Sequence, residues 1–185
     1  MKKTITILLI FYQTISFAQH SISFPKEYID FYLDSKYFSI NGLYVFKNET
    51  NQYVKQSIDF PFATKVSSID SIRVIDLKKI AILHFNRTNS GISFDINLLP
   101  KDTLLVNIFY RQPKEEFNTY ILSTAKKWGK PFEYAAYSLS IDKNIKIDSL
   151  SYNPDSSLSI DDKVIFKWEK YNFLPEKEFV VITKN

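Results

Sequence analysis

The sequence predicts an all-β protein, an antiparallel β-sandwich of Ig-like or jelly-roll type, behind a cleavable N-terminal leader. Three observations carry this. Apolar and polar residues alternate with period two in segment after segment, turn residues punctuate the chain, and no stretch sustains a 3.6-residue apolar stripe. About a dozen short strands spaced roughly ten residues apart is the signature of a sandwich or barrel.

The leader comes first. Met1-Lys2-Lys3 is a short positive start, Thr4 to Phe17 is mostly apolar, and Ser16-Phe17-Ala18 puts small residues where a signal peptidase needs them. Cleavage is expected between Ala18 and Gln19, leaving residues 19–185 as one domain. Gln13 and Thr14 interrupt the apolar run well short of the ~20 residues that span a bilayer. The Lys-Lys start and the Asn-, Lys- and Ile-rich composition look bacterial, so a periplasmic or secreted location is expected. The intact mass of protein from the exported fraction checks this, because a retained leader would make it an anchor. Cysteine is absent, which excludes a lipid-modified cysteine and any disulfide staple. Stability must therefore come from the core.

The strands follow in order. Tyr28–Leu33, Tyr37–Phe46, Tyr53–Phe60 and Ile69–Ile75 are the first four candidates. Ile80–Phe85 is apolar on both faces, as a central strand would be, and it places His84 inside the protein. Asn86–Gly91 is a turn cluster, and Ile92–Leu98 alternates strictly, so the two runs read as a hairpin. Pro100-Lys101-Asp102 turns the chain into Thr103–Arg111, giving three consecutive antiparallel strands. Lys114–Asn118 and Ala125–Gly129 are candidate helical turns. Tyr120–Thr124, Tyr134–Ile141, Ile145–Tyr152, Val164–Glu169 and Phe179–Thr183 complete the strand set. Asp142-Lys143-Asn144 is a hairpin turn, and the Ser-, Asp- and Pro-rich Asn153–Asp162 reads as a long exposed loop. Phe94, Ile96, Val106, Ile108, Leu139, Phe166 and Trp168 lie on the apolar faces of these strands and should form the core.

Charge and motifs exclude several function classes. Removing Lys2 and Lys3 lowers the formal charge of +4 to about +2, a mixed surface without a nucleic-acid footprint. There is no phosphate loop, nucleophile elbow, His-Glu-x-x-His or cysteine nucleophile. His20 and His84 are the two histidines, and neither stands in a catalytic pattern. Asp95, Glu116, Glu133 and Glu169 are candidates for paired acid–base work, but sequence does not pair them. Asp142 to Asp148 carries oxygen ligands at its first, third and seventh positions, yet it lacks the glycine and glutamate of an EF-hand. No catalytic residue, metal or cofactor is assigned, and a non-enzymatic binding module is the expectation.

Aromatics make up 16% of the chain; core packing and strand filling account for most of them, but 12 tyrosines are many for one small domain. Tyr37, Trp128 and Tyr171 are the candidate ligand surface. A protein or envelope partner is the first reading, a glycan held by exposed rings the second, and a small hydrolase the third. A flat apolar edge would favour the protein partner, and three coplanar exposed rings the glycan. Asp70-Ser71-Ile72, Asp102-Thr103-Leu104 and Asp148-Ser149-Leu150 have the form of periplasmic O-glycosylation acceptors, a form that a turn residue opening a strand also produces.

Leu104–Tyr110, the segment Thr119 to Pro131 with its Trp128-Gly129, and Phe166-Lys167-Trp168 with Asn172-Phe173-Leu174-Pro175 form a longer pattern. It resembles secreted bacterial β-sandwich domains of unknown function and covers the C-terminal half. The resemblance implies the sandwich and transfers no catalytic residue.

Overall fold

The computed structural model describes residues 21–184, so the leader, the Ala18–Gln19 cleavage point and His20 lie outside the described residues. The strands in chain order are β1 (Ile22–Leu33), β2 (Tyr37–Asn48), β3 (Val54–Pro61), β4 (Asp70–Asp76), β5 (Ala81–Ile82), β6 (Phe85–Arg87) and β7 (Gly91–Leu98). They continue with β8 (Thr103–Pro113), β9 (Phe117–Tyr120), β10 (Phe132–Asp142), β11 (Ile147–Leu150), β12 (Ser156–Ile160), β13 (Lys163–Phe173) and β14 (Phe179–Thr183). Among the described residues helix is confined to two 3-10 segments, Val66–Ser68 and Ser123–Trp128. The all-β sandwich is the fold.

One layer is an eight-stranded sheet in the order β12-β13-β10-β1-β2-β8-β4-β5. Two three-stranded sheets, β11-β14-β9 and β3-β7-β6, pack against it. Rings tie the layers together: Phe31 of β1 stacks on Phe179 of β14 at 4.4 Å, and Tyr44 of β2 meets Phe60 of β3 edge-on at 5.4 Å. Alternation along each strand sends one set of side chains into this interface. Phe94, Ile96, Val106, Ile108, Leu139 and Trp168 are buried there as expected, and Phe166 is half-buried against them.

The structure departs from the sequence reading in its pairings. The sandwich is not wholly antiparallel, because β1 and β10 run parallel through the middle of the large sheet. β7 and β8 are not neighbours: β7 pairs with β3 and β6, whereas β8 pairs with β2 and β4. The intervening turn, with Lys101 at positive φ, carries the chain from one layer to the other. Asp142-Lys143-Asn144 is likewise a crossing turn, since β10 pairs with β13 and β11 with β14. Asn153–Asp162 is no long loop but holds β12, hairpinned to β13 through Asp161 at φ 48°. Lys114–Asn118 runs into β9 instead of a helical turn, whereas Ala125–Gly129 does fall in a 3-10 segment closed by Gly129 at φ 70°.

Ile80–Phe85 is the largest correction. The Asp76 carboxylate accepts from the backbone N–H groups of Lys78 and Lys79, which forces a tight turn after β4. Ile80 sits at positive φ and 87% exposed, and the run splits into β5 and β6, which belong to different sheets. His84 lies exposed between them.

The facing of β7 is testable. Phe94→Ala is expected to cost roughly 3–5 kcal/mol, because it opens a cavity in a packed core. Asp95→Ala is expected to cost less than about 0.5 kcal/mol, because Asp95 is half exposed and its ion pair with Lys55 at 3.0 Å is solvated. Urea unfolding of both variants measures the difference.

Candidate functional site

A cavity of about 590 Å³ opens between the two small sheets and the inner face of the large one. Seven rings line it: Phe24, Tyr44, Phe46, Phe60, Tyr120, Trp128 and Phe132. Phe24 is the hub, with its centroid 5.0–5.9 Å from those of Phe132, Phe46, Trp128 and Tyr44. Exposed Asp59, Thr88, Asn89, Ser90 and Lys127 form the rim. Glu27, buried, lines the interior.

A β-bulge brings Phe24 and Glu27 together. Three positions apart on a regular strand, they would face opposite sides of the sheet. The pairing of β1 with β2 shifts between Ser23 and Lys26, around Pro25, which cannot donate to a ladder. Beyond that shift Glu27 falls in phase with buried Ile29, Phe31 and Leu33.

Glu27 lies beside Ala135 of β10 and Tyr44 of β2. The Tyr137 hydroxyl donates to its Oε1 at 2.5 Å. Burial pushes the carboxyl up to about 7, partly offset by that hydrogen bond. The hydroxyls of Tyr44 and Tyr120 bond to each other at 3.0 Å. Burial also raises the phenols of Tyr44, Tyr120 and Tyr137 far above their ordinary value, so all three stay neutral.

Two further details hold the wall in place. Gly42 shares the inward face of β2, and a Cβ there would collide with the ring of Tyr44, so the missing side chain lets that ring lie back along the strand. The Glu178 carboxylate accepts from the backbone N–H groups of Leu122 and Ser123 and from the Ser123 hydroxyl. It thereby anchors the 3-10 segment that carries Trp128.

The three aromatics singled out from sequence are not brought together. Trp128 is in the cavity, packed on Phe24 and Phe46. Tyr37 lies under the Arg111 guanidinium at 4.5 Å. Tyr171, 71% exposed, packs on Tyr134, which in turn packs on Tyr28, all on the outer face of the large sheet. Those three outer rings tilt by 57° and 52° to their neighbours, so they do not form the flat platform on which a sugar ring stacks. Glu27, Tyr44 and Phe24 escaped the sequence reading. The available signal was Glu27 two residues before Ile29, a charge in phase with an apolar face.

His84 is not buried, contrary to the sequence expectation. It lines a smaller cleft of about 340 Å³ with Ser57, Ser93 and Asp95. Ser57 and Ser93 bond to each other at 3.0 Å, and Asp95 is held by Lys55, which keeps its carboxyl below the usual range. Among the described residues no hydrogen bond joins His84 to them, no cluster of three or more metal-ligating side chains is gathered, and no helix is long and apolar enough to cross a membrane.

No family model matches the sequence, and no curated protein matches it. The fold is similar to that of a candidate nutrient-binding protein from Legionella pneumophila, with a TM-score of 0.73 at 14% identity over 89% of this chain and 67% of that one. It is similar to an M1 zinc metallopeptidase from Deinococcus radiodurans, with a TM-score of 0.54 at 7% identity over 89% of this chain and 43% of that one. A candidate protease from Parabacteroides distasonis gives a TM-score of 0.54 at 9% identity over 90% of this chain and 41% of that one. The chain thus spans less than half the length of both peptidase matches. At these identities the likeness is one of architecture: the chain is an all-β domain of the form that these larger proteins contain.

Proposed function

We propose that this chain is an exported, non-enzymatic β-sandwich module that holds a small ligand in its aromatic cavity. The cavity itself carries the reading. Its volume of about 590 Å³ falls within the range of small-molecule sites, and its lining joins many apolar rings to a few convergent polar groups. The likeness to a candidate nutrient-binding protein supports it. The non-enzymatic part is the weaker half: exposed His84 shares its cleft with Asp95, Ser57 and Ser93, an arrangement that favours an enzyme, and only the engagement of those three with partners other than His84 speaks against one. Native mass spectrometry of protein from the exported fraction tests the reading. A small molecule is expected on the wild type and lost in Thr124→Trp, which fills the cavity from the half-buried 3-10 segment. Equal retention by both would place the ligand elsewhere.

The β5 edge favours a second reading, a protein partner that adds a strand. Among the described residues β5 pairs only with β4, and Ile80 just before it and Ile82 within it are 87% and 73% exposed. Capture of an envelope protein that Ile82→Lys abolishes and Thr124→Trp leaves intact would support this reading over the cavity.

A further inference from the structure

We infer that the cavity is a site for a small organic cation, its ammonium or quaternary ammonium head facing Glu27 inside the ring of aromatic side chains. This rests on the cavity being a ligand site and names the ligand's chemistry. Glu27 is the only acid among the buried cavity-lining residues, and among the described residues no Lys, Arg or His forms an ion pair with it. A buried carboxylate without a cation is costly, so a site that retains one gains from an occupant that supplies the opposite charge. The walls favour the same charge. Ring faces carry negative quadrupole density and attract cations, most strongly when water is excluded, and seven aromatic side chains line this space.

The remaining polar groups are consistent with a cation seated deep. Tyr137 occupies Oε1 of Glu27, and Tyr44 and Tyr120 engage each other, all three neutral by burial. The other charges on the lining, Asp59 and Lys127, are of opposite sign and sit at the exposed rim. An anion would face both Glu27 and the negative ring faces.

The pH dependence follows from the environment of Glu27. Burial disfavours the charge and pushes the carboxyl up to about 7. A permanent cation needs the ionised form, so it binds more tightly as pH rises and releases a proton on binding below that value. Between pH 6 and pH 8 the ionised fraction grows about tenfold, and the affinity should follow.

Trp128 in the wall reports on binding through its emission. Phenyltrimethylammonium and its neutral isostere tert-butylbenzene are titrated into the full protein, into Glu27→Gln and into Phe24→Leu. The cation is expected to bind wild type at least tenfold tighter than the isostere at pH 8. Glu27→Gln should equalise the two and flatten the pH profile. Phe24→Leu should weaken the cation more than the isostere. Equal affinities in the wild type, unmoved by Glu27→Gln, overturn the cation inference and leave the cavity reading standing. If neither probe binds the wild type, both fall.

Discussion

Phe31→Ala is expected to destabilise the protein by about 4 kcal/mol, toward the upper range for a buried aromatic truncated to a methyl. Phe31 is fully buried on β1 and touches rings from both layers. It stacks on Phe38 at 5.4 Å and Tyr137 at 6.3 Å within the large sheet. From the small sheet, Phe179 stacks on it at 4.4 Å and Tyr120 meets it edge-on at 5.3 Å. Ring pairs of this kind add to the stabilisation from area burial alone. Removing the ring leaves a void between strands whose backbones are pinned by ladder bonds on both sides, so collapse is limited. Phe117→Ala, on an exposed ring, is the control and should change stability by less than about 0.5 kcal/mol. Guanidinium unfolding followed by tryptophan emission reads both. A loss below about 1 kcal/mol for Phe31→Ala would mean that the two layers are not joined through this cluster.

The second large effect concerns Glu27 and depends on pH. Between the carboxyl's ordinary 4.5 and its folded value of about 7, the folded protein holds a proton that the unfolded chain has released. Glu27 therefore contributes most to stability below pH 4.5, and the contribution is lost as pH rises through 7. The loss amounts to roughly 3 kcal/mol. Glu27→Gln keeps an acceptor for the Tyr137 hydroxyl and removes the titration. It is expected to match the wild type near pH 4 and to exceed it by roughly 3 kcal/mol at pH 8. Asp70, Asp95, Asp102 and Asp155, whose carboxyls are held below their ordinary values by cationic or N–H partners, titrate with the opposite sign in acid. The difference between variant and wild type, measured by chemical unfolding across pH 4–9, isolates Glu27. A constant difference would mean that its carboxylate is solvated.

Local patterning was legible wherever one face of a strand is buried. β7 was readable to the residue because Ile92, Phe94, Ile96 and Leu98 all face the core. Partner choice was not. Periodicity says which way a side chain points but not which strand lies beside it, and β7 and β8 show that adjacency in sequence does not guarantee adjacency in a sheet. Ile80–Phe85 misled because its composition is apolar while the Asp76 turn sets its backbone. Of the site, only Trp128 was legible. Phe24 and Glu27 share a face through a bulge at Pro25, and a bulge changes the phase on which a sequence reading depends.

The parallel pairing of β1 with β10 bears on when the protein can fold. β1 is the first strand among the described residues, yet one of its edges is satisfied by residues 134–141, more than a hundred positions later. Until that stretch is present, the nascent chain can form the β1–β2 hairpin but carries an open edge along it. Closing so long a loop delays the rewarding contacts, so assembly should be slow and should begin from local hairpins. A chain cut after β8 would keep five adjacent strands of the large sheet, β1-β2-β8-β4-β5, and expose that edge of β1, making aggregation its expected fate rather than a smaller stable domain. The cavity depends on the same event, because Phe132 and the Tyr137 partner of Glu27 arrive only with β10.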